Sequence, residues 1–254
     1  MKVWLVDHAA PGPHRPVDSL SHARLSEIGS LDEVLAFVGG LHAADPGARF
    51  LCTLDDLNQC CYTSMHAAED DRIDAPYGQV DFDDPQAVHA YRLACLRHVA
   101  AQLDNPQFRT SWEDVTGTLL TLAADIRILA ARNADASAVL DAVVYVQRLP
   151  VARDDLLLAG LPNGYFASDW DVFQNHAVIR RMRESYGYRF FGIGASWLGF
   201  VADAPLSPEA ATRLVADLTD LYGDPEGAAE AWRDLASHVQ RRTTLLLCYT
   251  EEFG

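Results

Sequence analysis

The hydrophobic positions of the first 63 residues predict strands and one helix. Residues 2–7 alternate weakly and are rich in Val, Leu and Trp, which predicts a strand. Apolar residues then recur at helical spacing behind Ser30 and Asp32, at Val34, Leu35, Phe37, Val38 and Leu41. This spacing predicts a capped amphipathic helix that ends before an Asp-Pro-Gly turn. Residues 49–54 predict a second strand, and residues 58–63 predict its continuation in a meander.

The middle of the chain predicts a block of helices. Asp84 and Pro85 open a helix, because proline is favoured in the first turn, and apolar residues follow it. A second helix is predicted over residues 111–129, with acidic residues in its first turn. Residues 137–148 predict a third helix. Residues 1–150 are therefore expected to be an N-terminal α+β region with an α-rich block.

The remainder, residues 151–254, predicts a C-terminal α+β domain. Helices are expected over residues 171–186, 207–222 and 225–239. Residues 188–193 and 196–201 predict a hairpin around Gly194. Residues 243–250 are apolar throughout, which predicts a closing strand in the centre of its sheet. The expected fold class is α+β, with small antiparallel or mixed sheets, packed helices and an α-rich middle.

Composition and charge limit the kinds of partner that this chain can bind more than they limit its fold. The chain has 254 residues, of which 49% are hydrophobic, and this is enough to bury a core. Its formal net charge of −16 repels nucleic acid and favours encounter with a positively charged protein. No apolar stretch approaches the roughly 20 residues of a membrane span, and no export signal is recognised, so a cytoplasmic protein is expected. The five cysteines lack metal-binding or disulfide spacing, which predicts reduced thiols.

The most acidic stretch, residues 69–84, has two interpretations. It carries seven carboxylates, relieved only by Arg72. As a solvated loop it needs no function. As a recognition surface, its carboxylates would steer a basic ligand and bind arginine, while Tyr62, Tyr77 and Phe82 would supply apolar anchors. The residues predicted to bind a partner are Glu69, Asp70, Asp71, Asp74, Tyr77, Asp81, Phe82, Asp83 and Asp84.

The chain contains no catalytic motif, but one weak metal-binding pattern is present. Asp169, Asp171 and His176 supply two carboxylates and an imidazole, a set that binds divalent cations and would serve a metal-assisted hydrolase. The simpler interpretation is that Asp169 or Ser168 caps a helix, with Asp171 in its first turn. The glycines of residues 187–199 lie inside and between predicted strands and do not open a helix, so they predict a bulged hairpin and not a phosphate-binding loop. No cofactor is expected.

Residues 161–254 carry a pattern that resembles a bacterial family. The pattern is a Trp-containing helix start, a helix that ends in Tyr-Gly, a hairpin, a helix and a closing strand. It is carried by Asn163-Gly164-Tyr165-Phe166-Ala167-Ser168-Asp169-Trp170, Asn175-His176, Tyr186-Gly187-Tyr188 and Phe191-Gly192-Ile193-Gly194-Ala195. This part resembles the C-terminal part of the family named domain of unknown function 4253. The resemblance supplies no catalytic residues.

The first part of the chain is similar in general character to small immunity proteins of bacterial toxin systems. The local likeness is a β-containing start, residues 77–82, and then a helix over residues 85–103. This similarity implies a non-enzymatic protein that neutralises a toxin through its acidic surface. A metal-assisted hydrolase and a structural or regulatory module, such as a homodimer, remain as alternatives.

Overall fold

One mixed β-sheet runs through the structure. The computed structural model describes residues 1–8, 14, 16–76, 78, 80–251 and 253–254. The strands are β1 (Lys2–Leu5), β2 (Ser21–Ser26), β3 (Arg49–Thr53), β4 (Val143–Leu149), β5 (Arg189–Ile193), β6 (Trp197–Val201) and β7 (Thr244–Cys248). Within these residues they form a seven-stranded sheet in the order β1-β2-β4-β3-β5-β6-β7. Every neighbouring pair is antiparallel except β3 and β5.

Helices surround this sheet, and the predicted α+β class is confirmed. The α-helices are α1 (Leu31–Ala44), α2 (Leu57–Ala67), α3 (Pro85–Leu103), α4 (Ala123–Ala134), α5 (Val172–Tyr186), α6 (Pro208–Tyr222) and α7 (Ala229–Val239). Short 3-10 helices cover Ala136–Val139 and Asp154–Gly160. Of the helices described, none has the length and apolar character to cross a membrane.

The parallel pair β3–β5 joins the two parts that the sequence analysis distinguished. Cys52 pairs with Gly192, and the amide of Leu54 donates to the carbonyl of Ile193 at 3.0 Å. Four strands that precede residue 150 and three that follow it therefore share one sheet, where the prediction had small sheets. Buried side chains from both parts also belong to one hydrophobic core.

Two predicted elements of the first part are wrong in type. Residues 58–63 belong to helix α2 and not to a strand, because Asp56 caps this helix by accepting from the amide of Gln59 at 3.0 Å. Residues 137–148 form the end of a 3-10 helix and most of strand β4 instead of a helix. The run Val-Val-Tyr-Val at the start of β4 favours a strand, and β4 is paired on both sides, with β2 and β3.

The helix predicted over residues 111–129 begins only at Ala123. Gly117 has a left-handed φ of 70°, and the hydroxyl of Thr118 donates to a carbonyl three residues before it at 2.8 Å. Both features favour turns over a helix. Helix α4 begins where the carboxylate of Asp125 accepts from the backbone amide three residues before it at 2.7 Å.

The elements predicted after residue 170 agree more closely with the structure. The N-cap of helix α5 is Asp171 and not the predicted Asp169 or Ser168. Its carboxylate accepts from two amides of the first turn at 2.9 and 2.8 Å. The helix ends at Gly187, which takes the left-handed conformation with φ 72°. The hairpin is β5–β6, and its Gly194 lies so close to Asp55 that an added Cβ would stand 1.8 Å from Oδ1. Only glycine fits there.

Strand β7 is fully buried but lies at one end of the sheet, so its predicted central position is wrong. Helix α4 covers its outer edge. The side chain of Asn133 accepts from the amide of Leu246 at 2.8 Å and donates to the carbonyl of Leu246 at 2.9 Å. This buried amide takes the place of a further strand, which explains how an end strand can be apolar throughout.

Candidate protein-binding surface

The three residues of the predicted metal pattern, Asp169, Asp171 and His176, have different surroundings in the structure. Asp171 caps α5 and also pairs with Arg72 at 2.8 Å. His176 is buried and lies 3.2 Å from Asp155. Asp169 lines a surface cavity instead. In the part of the chain that the structure describes, no three His, Cys, Asp or Glu side chains are grouped as metal ligands. The structure therefore does not bring Asp169, Asp171 and His176 together as a metal site.

The histidine of that pattern belongs to a buried ion network around Asp155. The carboxylate of Asp155 is fully buried and contacts Arg153 at 2.9 Å, His176 at 3.2 Å and Arg183 at 3.4 Å. Burial raises the pKa of Asp155, but the hydrogen bonds from His176 and Arg153 outweigh it and hold this pKa well below its usual value. Arg153 also pairs with Asp104 at the end of α3. The network thus joins α3, α5 and the second 3-10 helix.

Part of the acidic segment, residues 69–84, is used by the fold itself. Asp70 forms a bidentate pair with Arg72, and the hydrogen bonds from Arg72 lower the pKa of Asp70. The same guanidinium contacts the carboxylate that caps α5, so it ties the segment to that helix. Asp84 caps α3, and Asp81 accepts from the amide two residues after it. The helix start at Asp84 was predicted from the sequence, whereas the structural roles of Asp70 and Asp81 were not.

The other carboxylates of this segment, and Phe82, face solvent. The exposed carboxylates that neither cap a helix nor close a turn are Glu69, Asp71, Asp74 and Asp83. Phe82 is 69% exposed and makes an edge contact with Tyr91, with ring centroids 6.3 Å apart. Tyr77 lies outside the described residues. The structure therefore leaves four of the predicted carboxylates and one predicted aromatic ring open to a partner.

Exposed aromatic side chains lie beside the start of this segment, and we name the group the aromatic ridge. It consists of Tyr62, Met65, His66, Tyr165 and Phe166. Ring centroids are 4.5 Å apart between Tyr62 and His66, and 4.8 Å apart between His66 and Tyr165. The rings of Tyr165 and Phe166 are 5.4 Å apart. The four members other than His66 are 44–58% exposed. A contiguous exposed group of large apolar side chains is typical of a protein-interaction site.

Carboxylates lie beside the aromatic ridge. Glu69 lies 3.8 Å from His66, in the middle of the ridge. Phe166, at one end, lines a cavity of about 300 Å³ together with Asp169 and Glu251. Burial raises the pKa of Asp169 to about 6, and the negative charge of Glu251 adds to the shift. The ridge is thus an apolar surface with carboxylates beside it, and it complements a partner with an apolar centre and basic surroundings.

Only part of this surface was predicted from the sequence. Tyr62 was predicted to be an apolar anchor, whereas Tyr165 and Phe166 were named only as part of a family resemblance. Met65 was missed because residues 58–63 were interpreted as a strand. The position of Met65 could have been predicted from the helical spacing of α2, because its buried residues are all small: Cys60, Thr63, Ser64 and Ala67. Once this helix is recognised, its large side chains must face outward.

The cysteines near this surface are protonated packing residues. Burial raises the pKa of Cys60 well above its usual value and that of Cys61 to about 11. Burial likewise raises the pKa of Cys52 and of Cys248 to about 12. Thiols with such pKa values are weak nucleophiles near neutral pH. Within the described residues, no disulfide joins any of the five cysteines.

Comparison with protein family models, curated protein sequences and solved structures found no match. The resemblances to domain of unknown function 4253 and to immunity proteins therefore stay predictions. What the chain binds is inferred from the chemistry of its surface.

Proposed function

We propose that this chain is a non-enzymatic binding protein that captures a positively charged protein on the aromatic ridge and the carboxylates around it. The biological role that suits such a surface is that of an immunity protein, which neutralises a toxin by covering the surface with which it works. We place this role in the cytoplasm. The family resemblance of the first part of the chain is in keeping with it.

The observation that carries the proposal is the exposure of the aromatic ridge. Tyr62, Met65, Tyr165 and Phe166 are 44–58% exposed, although each is large and mainly apolar. Removing apolar surface from water contributes about 25 cal/mol per Å², so a partner seated on these side chains gains its central contact there. Residues of this kind at the centre of an interface contribute about 2 kcal/mol or more when truncated.

Charge supplies the second half of the recognition. The net charge of −16 attracts a basic protein from a distance, and the exposed carboxylates beside the ridge direct it to this face. Attraction between exposed charges is screened by salt over about 10 Å at 0.1 M. Association is therefore expected to slow as salt rises, while dissociation is governed by the apolar contacts of the ridge.

The first test identifies what touches the ridge in the cell. The photoreactive amino acid p-benzoylphenylalanine replaces Phe166 in one variant and Leu120 in another. Leu120 is a matched control because it is 80% exposed and does not belong to the ridge. We expect irradiation to attach a positively charged protein to the Phe166 variant and not to the Leu120 variant. Equal cross-linking of the same proteins by both variants would contradict the proposal.

The second test separates the ridge from the charges with that partner in purified form. Tyr165→Ala should speed dissociation about 30-fold, which corresponds to a loss of about 2 kcal/mol. Joint charge reversal at Asp71, Asp74 and Asp83 should slow association several-fold and weaken its dependence on salt. An unchanged association rate in the charge-reversed variant would remove the acidic segment from the interface.

The immunity role is tested by growth. Cells that produce the cross-linked partner alone should stop growing, and production of this chain should restore growth. The Tyr165→Ala variant should restore it less well, because its complex dissociates faster. A partner that does not affect growth would overturn the immunity role.

A further inference from the structure

A second cleft lies between helices α2 and α3, next to the acidic segment, and we name it the α2–α3 cleft. Its volume is about 330 Å³. Ligand sites in proteins span roughly 300–1,000 Å³, so this cleft fits one small group and not a large cofactor. Ile73, Leu96 and Val99 are buried and give it apolar walls. Met65 of the aromatic ridge belongs to the same lining, so a partner seated on the ridge reaches the cleft.

The carboxylate of Asp18 is held in a fixed position in this lining. Its Oδ1 accepts from the amide of Leu20 at 2.9 Å and from the hydroxyl of Ser21 at 3.4 Å. Its Oδ2 accepts from the amide nitrogen of Gln147 at 2.7 Å. A carboxylate has about four acceptor positions, so one remains on Oδ2. Across the described residues, no basic side chain forms an ion pair with Asp18.

Gln147, which donates to Asp18, has an unused acceptor of its own, the side-chain oxygen Oε1. Its side chain is fully buried, and its Oε1 has no hydrogen-bond partner within the described part of the molecule. This oxygen lies 2.8 Å from the place that a Cβ on Gly160 would occupy, and Gly160 belongs to the cleft lining. An unsatisfied buried polar group costs roughly 1–3 kcal/mol. Gln147 thus holds Asp18 from behind the lining, and the wall presents to the cleft the negative charge of Asp18 with one acceptor position unused.

We propose that the α2–α3 cleft receives one lysine or arginine side chain of the partner, with its charged end at Asp18 and its methylene stem along Leu96 and Val99. Long basic side chains commonly bury their stems on apolar surface while their charged ends keep polar partners. This assignment rests on the proposed function, since it names the part of the basic partner that enters the cleft.

The rim of the cleft limits how many positive groups enter. Asp74 lies at the rim and adds to the attraction of the first cation. Arg92 is also part of the lining and is exposed, so the two carboxylates and this one guanidinium leave the lining with a single net negative charge, which one cation neutralises. The cleft therefore selects a single basic side chain and not a run of them.

The test titrates the full chain with N-acetyl-L-arginine methylamide and, separately, with its neutral isostere N-acetyl-L-citrulline methylamide. Amide signals in NMR spectra locate the binding, and the titration gives Kd. We expect the arginine compound to shift the signals of Cys61, Ser64 and Leu96, with a Kd about tenfold lower than that of the citrulline compound. Equal binding of the two compounds would overturn the inference.

Two variants and one control complete this test. Asp18→Asn should abolish the preference for the arginine compound. Asp220→Asn, which removes an exposed carboxylate of α6 outside the lining and outside the proposed partner surface, should change Kd by less than about twofold. If Asp18→Asn does not fold, Cys95→Phe narrows the cleft and leaves Asp18 in place, and it should weaken binding of the arginine compound. The inference is overturned if folded Asp18→Asn keeps the preference for the arginine compound, or if folded Cys95→Phe binds this compound as tightly as the parent protein does.

The outcomes separate this inference from the proposed function. A partner that cross-links at Phe166 while the arginine compound shows no preference refutes the cleft assignment alone. Binding of the arginine compound at Asp18 without any cross-linked partner refutes the proposed function and leaves the cleft as a site for a small organic cation.

Discussion

Replacing Asn133 by leucine removes the amide group that covers the outer edge of β7 and keeps a side chain of similar size. The N–H and C=O groups of Leu246 then lose hydrogen bonds of 2.8 and 2.9 Å in a buried place. Each unpaired group costs roughly 1–3 kcal/mol, so the pair costs roughly 2–6 kcal/mol. The apolar contacts of leucine offset part of this. We expect Asn133→Leu to lower the free energy of unfolding by about 3 kcal/mol.

Urea unfolding followed by tryptophan fluorescence measures this loss, and hydrogen exchange of the Leu246 amide reports on the edge itself. The control Asn58→Leu makes the same chemical change at an exposed position of α2 and should alter the free energy of unfolding by less than about 0.5 kcal/mol. The reasoning is refuted if Asn133→Leu is equally harmless and the Leu246 amide exchanges as slowly as in the parent protein.

Asp155→Asn leaves Arg153 without its buried carboxylate and should cost about 3–5 kcal/mol of unfolding free energy near neutral pH. Because the pKa of Asp155 is held below its usual value, its contribution is present above about pH 4 and is lost as pH falls through the folded-state pKa. Burial raises the pKa of Asp55 to about 6, so the unfolded state ionises first as pH rises. The contribution of Asp55 to the free energy of unfolding should therefore fall by up to about 3 kcal/mol between about pH 4 and pH 6, and Asp55→Asn should remove this part of the slope. Asp169, whose pKa is also raised to about 6, acts in the same direction and keeps its part in this variant. Gly194→Ala places a Cβ 2.5 Å from the backbone nitrogen of Asp55 and should lower Tm by about 5 °C or more. Gly39→Ala, with open space around it in α1, should not lower Tm.

Urea unfolding at a series of pH values checks the two aspartates, and thermal unfolding checks the two glycines. A pH curve that is the same in Asp55→Asn and in the parent would show that Asp55 does not titrate differently on folding. Equal Tm values for the variants at Gly194 and Gly39 would show that the hairpin turn yields to an added methyl group.

Local signals in the sequence account for the elements that were predicted correctly. Helix α5 has a capping carboxylate at Asp171 and a stop at Gly187, and both act within a few residues of the helix ends. The same kind of signal at Asp56 begins α2, but it was outweighed by a nearby strand pattern. Strand β4 was missed for another reason: its β-branched run favours a strand but was included in a longer predicted helix, and the two neighbouring strands that pair with it are distant in sequence.

The candidate surfaces depend on contacts that no local pattern contains. His66 and Tyr165 stack at 4.8 Å from positions far apart in the chain. Asp18 is one aspartate among many until Gln147, 129 residues away, is seen to hold its carboxylate. The acidic segment was visible from composition alone, but composition does not distinguish an acid that caps a helix, such as Asp84, from one that is free to bind.

The pairing of β3 with β5 also has a consequence for how the chain is made. Cys52 of β3 pairs with Gly192 of β5, which is synthesised much later. The edge of β3 that pairs with β5 is therefore uncovered until β5 has left the ribosome. Contacts between residues so distant in sequence slow folding, and an uncovered strand is prone to associate with other chains in the meantime. Slowing synthesis just before β5 should therefore raise the fraction of the newly made protein that aggregates.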